Sequence, residues 1–167
     1  MKKTNYKDIA KNVINLEIKA LTKLKRSLNK NFDKAVNAIV NCQSKIILCG
    51  VGKSGLIAAK IASTLSSVGS PAFSLSANDC LHGDLGSITK KDVLVLISNS
   101  GRSEEIIPIV KFANKNKIKL IGIVSKKNSF LYKGSNIKIL LPDVKESGLG
   151  VVPTSSTSIQ LAIGDAL

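Results

Sequence analysis

Two short segments rich in serine and threonine each stand where a predicted strand ends and a predicted helix begins. The first is SNSGRSEE, residues 98–105, and the second is PTSSTS, residues 153–158. Hydroxyl groups, a glycine that lets the backbone approach, and the free N–H groups of a helix start can bind a phosphate without a cationic side chain. Helix capping explains either segment alone, because serine and threonine are favoured there. Two such segments at one edge of a sheet favour phosphate binding.

A glycine-rich turn, ILCGVGKSGLIAAK (residues 47–60), precedes both segments. A P-loop needs a glycine five residues before Gly52, but Ile47 stands there, so the spacing excludes it. The glycines also match the dinucleotide fingerprint, which further needs an acid at the end of the second strand, whereas the nearest acid is Asp79. Three interpretations stay open: a weak dinucleotide site, a turn without ligand, and a sugar-phosphate site that includes Lys53.

The elements that must position these segments alternate between short apolar strands and helices. Strands are predicted at 45–50, 71–76, 92–98, 118–125 and 136–142. Helices are predicted at 5–29 (with Thr4 or Asn5 as cap), 32–40, 54–69, 103–116, near 128–133, and 154–167. Continuously apolar strands between helices predict an α/β fold, a three-layer sandwich with a five-stranded, doubly wound parallel sheet. Sites in such folds lie beyond the carboxyl ends of the strands, in the loops 50–55, 76–87, 98–103 and 142–154.

Composition limits the classes of function. A chain of 167 residues, 44% apolar, suits one domain, and no apolar run is long enough for a membrane span or a secretory signal. The net charge of +14 comes almost entirely from lysines that are scattered, and aromatic residues make up only 4%. Both facts disfavour nucleic-acid binding, which relies on arginine forks and stacking platforms. The three cysteines lack metal-ligand spacing and indicate reduced thiols in a cytoplasmic protein.

Four motifs in order, GxGKSG, HGDLG, SNSGxSxE and PTSST, resemble the sugar isomerase (SIS) domain of arabinose 5-phosphate isomerases. The resemblance implies N-terminal helices over residues 1–44, packed on the domain or on a partner subunit, and the SIS domain over 45–167, with a sheet of flavodoxin-like strand order. It implies interconversion of D-ribulose 5-phosphate and D-arabinose 5-phosphate through an enediol, for 3-deoxy-D-manno-octulosonate and lipopolysaccharide synthesis. It also implies a cytoplasmic homo-oligomer, a tetramer, with a sugar-phosphate ligand, no cofactor and no metal.

The enediol chemistry assigns candidate residues by type and by the matching positions of the family. A carboxylate is needed as base and a donor must stabilise the enediolate oxygen. The catalytic candidates are Lys53, Glu105, Glu146 and His82, with either Glu146 or Glu105 as the base. The substrate-binding candidates are Gly52, Ser54, Gly69, Ser70, Ser76, Ser98, Asn99, Ser100, Gly101, Ser103, Thr154, Ser155 and Ser156. Gly69 and Ser70 are expected at the opposite end of the sheet, where only an adjoining subunit would bring them to a site.

Several departures from the family qualify these expectations. Many relatives have a histidine where this chain has Ser76, which lowers the expectation of a metal site. Arg102 replaces a small acidic or polar residue, and the loop after Glu146 is one residue shorter. Relatives continue into a His-Pro-Gly segment and paired regulatory (CBS) domains, so a truncated chain that is inactive alone is expected. A non-catalytic sugar-phosphate-binding regulator is the alternative function.

Overall fold

Five strands and seven α-helices make up the described part of the chain, residues 5–148 and 150–167, in this computed structural model. The strands are β1 (Ile46–Gly50), β2 (Ala72–Ser76), β3 (Val93–Ser98), β4 (Lys119–Val124) and β5 (Ile137–Leu140). The helices are α1 (Tyr6–Ser27), α2 (Lys30–Val40), α3 (Lys53–Ser67), α4 (Ala77–Cys80), α5 (Ile106–Lys115), α6 (Phe130–Gly134) and α7 (Ser155–Ala166).

The sheet is parallel throughout, with strand order β2-β1-β3-β4-β5. This confirms the predicted α/β sandwich and its flavodoxin-like order. The chain moves outward from β1 to β2, then crosses back to β3 and continues in the other direction. The carboxyl ends of β1 and β3 therefore flank the point where the order reverses, which is where α/β folds open a crevice for a ligand.

Both faces of the sheet are buried, because successive side chains of a strand point to opposite faces. Ile46 and Leu48 of β1 join a core with α1, α2, α3 and α7, whereas Ile47 and Cys49 join a second core with α4, α5 and α6. All of these side chains are at most 1% exposed. The three cysteines of the chain are free.

The two N-terminal helices extend the first of these cores. Ala20 and Leu24 of α1, and Ala35 and Ile39 of α2, are buried within it. The side chain of Asn5 accepts a hydrogen bond from the Asp8 N–H and caps α1, whereas Thr4 lies outside the described residues. Among the described helices, none combines the length and the apolar character needed to cross a membrane.

Helices α3 and α7 pack closely where α7 carries Gly164. A Cβ atom at this glycine would overlap the side chain of Ile61 on α3. Gly164 is itself buried. The absence of a side chain therefore lets the two helices approach at this point.

The segment 76–87 was predicted as a loop, and this prediction was wrong in part. Helix α4 and a 3-10 turn at Asp84–Ser87 lie within it. The Ser76 hydroxyl accepts a hydrogen bond from the Asp79 N–H at 3.4 Å and caps α4. Helix α5 also begins three residues later than predicted, at Ile106, which leaves Pro108 in the first turn, where a missing N–H costs nothing.

A buried carboxylate, Asp92, stands at the amino end of β3. It is 1% exposed. It accepts hydrogen bonds from the Thr89 N–H at 2.6 Å, the Thr89 hydroxyl at 3.0 Å and the Lys45 ammonium at 3.1 Å. Burial would raise the pKa of Asp92, but the hydrogen bonds from Thr89, Ser44 and Lys45 hold it below its ordinary value.

Candidate active site

A cleft of about 360 Å³ opens at the carboxyl edge of the sheet. It lies between the start of α3 and the start of α7, with the end of β3 beside it. Its lining consists of Val51, Lys53, Ser54, Asn99, Glu146, Gly150, Val151, Pro153, Ser156, Thr157 and Gln160. The cleft thus brings together residues from three of the four loops that the sequence selects.

The glycine-rich turn brings the end of β1 against the start of α3. A Cβ on Gly50 would lie 2.7 Å from the Ser54 carbonyl carbon, and one on Gly55 would lie 2.8 Å from the Gly50 oxygen. Gly52 has φ +57°, a conformation that favours glycine. Tight packing accounts for Gly50 and Gly55, and the positive φ accounts for Gly52, so the spacing of the three glycines does not by itself indicate a dinucleotide site.

Lys53 and Ser54 are the first two residues of α3, and both line the cleft. Lys53 is exposed, and no ion pair involves it among the described residues. Helix α3 has no side-chain cap. The start of α3 therefore presents an unpaired ammonium and a helix N-terminus, both of which favour an anionic or electron-rich ligand.

Glu146 caps helix α7 from the loop that follows β5. Its Oε2 accepts hydrogen bonds from the Thr154 N–H at 2.8 Å and from the Thr154 hydroxyl at 3.0 Å. The Ser156 N–H donates to both carboxylate oxygens at 3.3 Å. Among residues 5–148 and 150–167, Oε1 accepts only this last, long backbone bond, so it is the oxygen with more lone-pair capacity for a ligand.

The environment of Glu146 keeps it ionised. Burial would raise the pKa of this half-buried carboxyl, but hydrogen bonds from Ser156 and Thr154 together lower it below its ordinary value. The carboxylate also occupies the N–H groups at the start of α7. Thr154 and Ser156, two of the three residues predicted to offer donors to a phosphate here, therefore give their N–H groups to the chain's own anion, and phosphate binding at this helix start stays a prediction.

The serine loop 98–103 uses part of its hydrogen-bonding capacity internally. The Gly101 N–H donates to the Ser98 hydroxyl oxygen at 3.0 Å, and the Arg102 N–H donates to that of Ser100 at 3.3 Å. Each hydroxyl keeps its own proton for donation. Asn99 is the member of the loop that lines the cleft, and its Oδ1 accepts from Ser125 at 2.6 Å.

Other predicted site residues lie outside this cleft. The residues Ser98, Ser100, Gly101, Ser103, Gly52, Ser155, Ser76, His82 and Glu105 do not line it. Ser155 is fully buried, Ser76 caps α4, and His82 is exposed just after α4. Glu105 is half-buried immediately before α5, where its side chain makes no capping hydrogen bond.

Gly69 and Ser70 border a second cavity, of about 240 Å³, between the end of α3 and the amino end of β1. This is the opposite end of the sheet, as predicted, so these two residues do not meet Lys53 within one chain. Among residues 5–148 and 150–167, no group of three or more His, Cys, Asp or Glu side chains is arranged to hold a metal ion.

Sequence analysis missed several residues of the cleft lining, and the buried polar one among them is Gln160. Its side chain is 1% exposed, and its Oε1 accepts a hydrogen bond from the Ser54 hydroxyl at 3.0 Å. Gln160 follows Ser156 by four residues, which places both on one face of α7. That spacing, together with a polar residue on a buried helix face, was the available signal.

Comparison with known proteins finds relatives named arabinose 5-phosphate isomerases. The chain is 42% identical over 168 residues to the arabinose 5-phosphate isomerase KdsD of Francisella tularensis, covering 98% of this chain and 51% of that protein. It is 38% identical over 164 residues to KdsD of Yersinia pestis, covering 98% of this chain and 50% of that protein. The chain thus spans about half the length of the curated relatives it matches.

A solved structure, E. coli CFT073 c3406 in complex with arabinose 5-phosphate, superposes with a TM-score of 0.93 at 34% identity, covering 99% of this chain and 89% of that chain. The SIS domain family matches residues 39–167. The resemblance inferred from the four motifs is confirmed, and the chain belongs to the SIS domain family.

Proposed function

We propose that this chain is the isomerase domain of a sugar-phosphate isomerase that interconverts D-arabinose 5-phosphate and D-ribulose 5-phosphate. The observation that carries the proposal is that Lys53 and Glu146 line one cleft at the carboxyl edge of the sheet. No ion pair joins them among the described residues. The names of the KdsD relatives and the arabinose 5-phosphate complex of a similar structure support the choice of sugar.

Glu146 is the better placed of the two candidate bases. It lines the cleft, whereas Glu105 does not. In the aldose-to-ketose direction the carboxylate takes the proton from C2, the C2–H electron pair forms the C1–C2 double bond, and the carbonyl electrons move to O1. The proton then returns to C1, where the C1–C2 double-bond pair forms the new C–H bond, while O2 gives its proton to O1 and the O2–H electron pair forms the C2–O2 double bond. A base whose pKa is lowered is ionised at neutral pH but is intrinsically weak, so the carbon acid needs activation.

Lys53 supplies that activation in our proposal. Its ammonium faces the same cleft and stabilises the negative charge that develops on the enediolate oxygen. A residue at the start of α3 suits this role, because the helix N-terminus adds a positive partial charge and no side-chain cap neutralises it. No metal is needed for a proton transfer of this kind when such a cation is present.

The phosphate is assigned to the serine loop 98–103. The N–H groups of Thr154 and Ser156 at the start of α7 are bonded to Glu146. The serine loop before α5 is therefore the hydroxyl-rich segment that still has donors for a ligand. The hydroxyl protons of Ser98 and Ser100 are free to donate, since each oxygen acts as acceptor for the backbone. Asn99 connects this loop to the cleft, so that phosphate and sugar can bind side by side.

The remaining predicted residues would contribute to the cleft of a neighbouring subunit. Gly69 and Ser70 lie at the opposite end of the sheet, and His82 and Glu105 lie outside the cleft of one chain. A homo-oligomer, a tetramer by resemblance, would bring such residues to a neighbour's cleft. By the same resemblance we propose a place in 3-deoxy-D-manno-octulosonate and lipopolysaccharide synthesis in the bacterial cytoplasm.

Isomerisation in heavy water tests the proposal. We expect ribulose 5-phosphate to acquire deuterium at C1 and arabinose 5-phosphate to form with deuterium at C2, both visible by NMR. Lys53→Met should lower the exchange rate by about 100-fold or more, whereas Lys34→Met, on the exposed side of α2, should leave it unchanged. A protein that binds arabinose 5-phosphate but exchanges no hydrogen would instead be a sugar-phosphate-binding regulator.

A further inference from the structure

The Gln160 carboxamide is the most deeply buried polar side chain of the cleft lining. Its Oε1 accepts the proton of the Ser54 hydroxyl at 3.0 Å. A serine hydroxyl has one proton, so Ser54 has nothing left to donate and can only accept from a ligand. The Gln160 nitrogen, in contrast, carries two N–H groups and can only donate.

The carboxamide nitrogen is available to a ligand. It has no hydrogen-bond partner among the described residues. Within that part of the chain, Ser155 Oγ is the one side-chain polar atom that has neither solvent access nor a hydrogen-bond partner. Since the Gln160 nitrogen has no partner and is not such an atom, it must be accessible. Gln160 lines the cleft, so this access is from the cleft.

We propose that Gln160 and Ser54 form a subsite for one hydroxyl group of the sugar, an inference that rests on the proposed function. A hydroxyl can accept from the Gln160 nitrogen and donate to Ser54 Oγ, which closes a ring of three hydrogen bonds. The terminal oxygens of a sugar-phosphate dianion carry no proton for Ser54, so such an oxygen satisfies only half of the pair. The pair thus selects a sugar hydroxyl over the phosphate.

The phosphate has other partners, the free hydroxyl protons of Ser98 and Ser100 in the serine loop. The cleft itself carries both the Lys53 ammonium and the Glu146 carboxylate, so its charges do not distinguish a phosphate from a neutral hydroxyl. The donor and acceptor pattern of Gln160 and Ser54 therefore carries the assignment, with the sugar chain extending from the serine loop toward Gln160.

Titration calorimetry with D-arabinose 5-phosphate and, separately, with inorganic phosphate tests this subsite. Gln160→Met keeps the size of the side chain and removes the donors. We expect it to weaken arabinose 5-phosphate binding about three- to tenfold and to leave inorganic phosphate binding unchanged. Ser54→Ala should give the same selective loss, and it removes only a half-buried hydroxyl, so it serves if Gln160→Met does not fold.

The control is Gln43→Met, the same exchange at an exposed residue near the amino end of the sheet, which should change neither affinity. An equal loss for both ligands would assign the pair to the phosphate and overturn the inference. Unchanged affinity for both ligands, with only a lower melting temperature, would show that the Ser54–Gln160 hydrogen bond only links α3 to α7, and this would also overturn the inference. A wild-type chain that binds phosphate but not arabinose 5-phosphate would overturn the proposed function itself.

Discussion

The two ends of the sheet each hold a carboxylate that accepts backbone N–H and hydroxyl hydrogen bonds, but one is closed and the other is open. Asp92, at the amino end, is 1% exposed and pairs with Lys45 at 3.1 Å. Glu146, at the carboxyl end, lines a cleft and pairs with no cation among the described residues. Similar hydrogen-bond donors therefore surround both carboxylates, but a cation encloses Asp92, whereas Glu146 keeps one side open to the cleft.

The largest expected effect is on turnover at the open end. We expect Glu146→Gln to lower the rate of ribulose 5-phosphate isomerisation by about 10²- to 10⁴-fold, while the cap of α7 weakens by only about 1 kcal/mol. Deuterium exchange and thermal unfolding measure the two effects separately. Glu105→Gln is the matched control, and a larger rate loss in Glu105→Gln than in Glu146→Gln would move the base to α5.

The next effect is on stability at the closed end. Asp92→Asn removes the partner of Lys45 and leaves Thr89 and Lys45 donors poorly matched in a buried site. We expect a loss of about 2–3 kcal/mol in the free energy of unfolding, toward the low end because Lys45 is partly exposed. Urea titration measures it. A loss no larger than that of Glu146→Gln would remove the distinction between the two ends.

Acid should affect both carboxylates, since the pKa of each is lowered in the folded state. A lowered folded-state pKa contributes stability above the unfolded pKa, about 4, and loses it as the pH falls through the folded value. We therefore expect the free energy of unfolding to decline below about pH 4. Asp92→Asn should decline less steeply than wild type, and parallel acid curves for the two proteins would contradict this.

The smallest effect is expected from an exposed ion pair. Lys60 on α3 pairs with Asp165 on α7, and both side chains are more than two-fifths exposed, 47% and 44%. Asp165→Asn should therefore change the free energy of unfolding by no more than about 0.5 kcal/mol. The same urea titration compares the loss of unfolding free energy in Asp165→Asn with that in Asp92→Asn. The comparison shows whether burial of an ion pair, rather than pairing alone, determines its contribution to stability.

The parallel sheet and the edge that carries the candidate site followed from the sequence, whereas the strand order came from the family resemblance. Apolar strands such as VLVLIS can only be buried on both faces, and that requirement fixes a parallel sheet with helices on either side. The loops beyond the strand ends then had to contain the site, which placed Lys53 and Glu146 correctly at one edge.

The sequence did not show which polar groups of the candidate site form hydrogen bonds with one another. A loop carboxylate and a helix start are both visible in ESGLGVVPTSST, but their pairing depends on the path of the loop between them. The capping role of Glu146 was missed for this reason, and so was the Ser54–Gln160 hydrogen bond, whose partners are 106 residues apart. Internal turns of the serine loop likewise depend on backbone geometry.

The close approach of α3 and α7 at Gly164 bears on the cleft, because these two helices carry Ser54 and Gln160. Gly164 lies one turn beyond Gln160 on α7, and Ile61 lies two turns beyond Ser54 on α3. A side chain at position 164 would meet Ile61, so the two helices would have to move apart there. The separation of Ser54 from Gln160 is thus tied to a residue that lies outside the cleft.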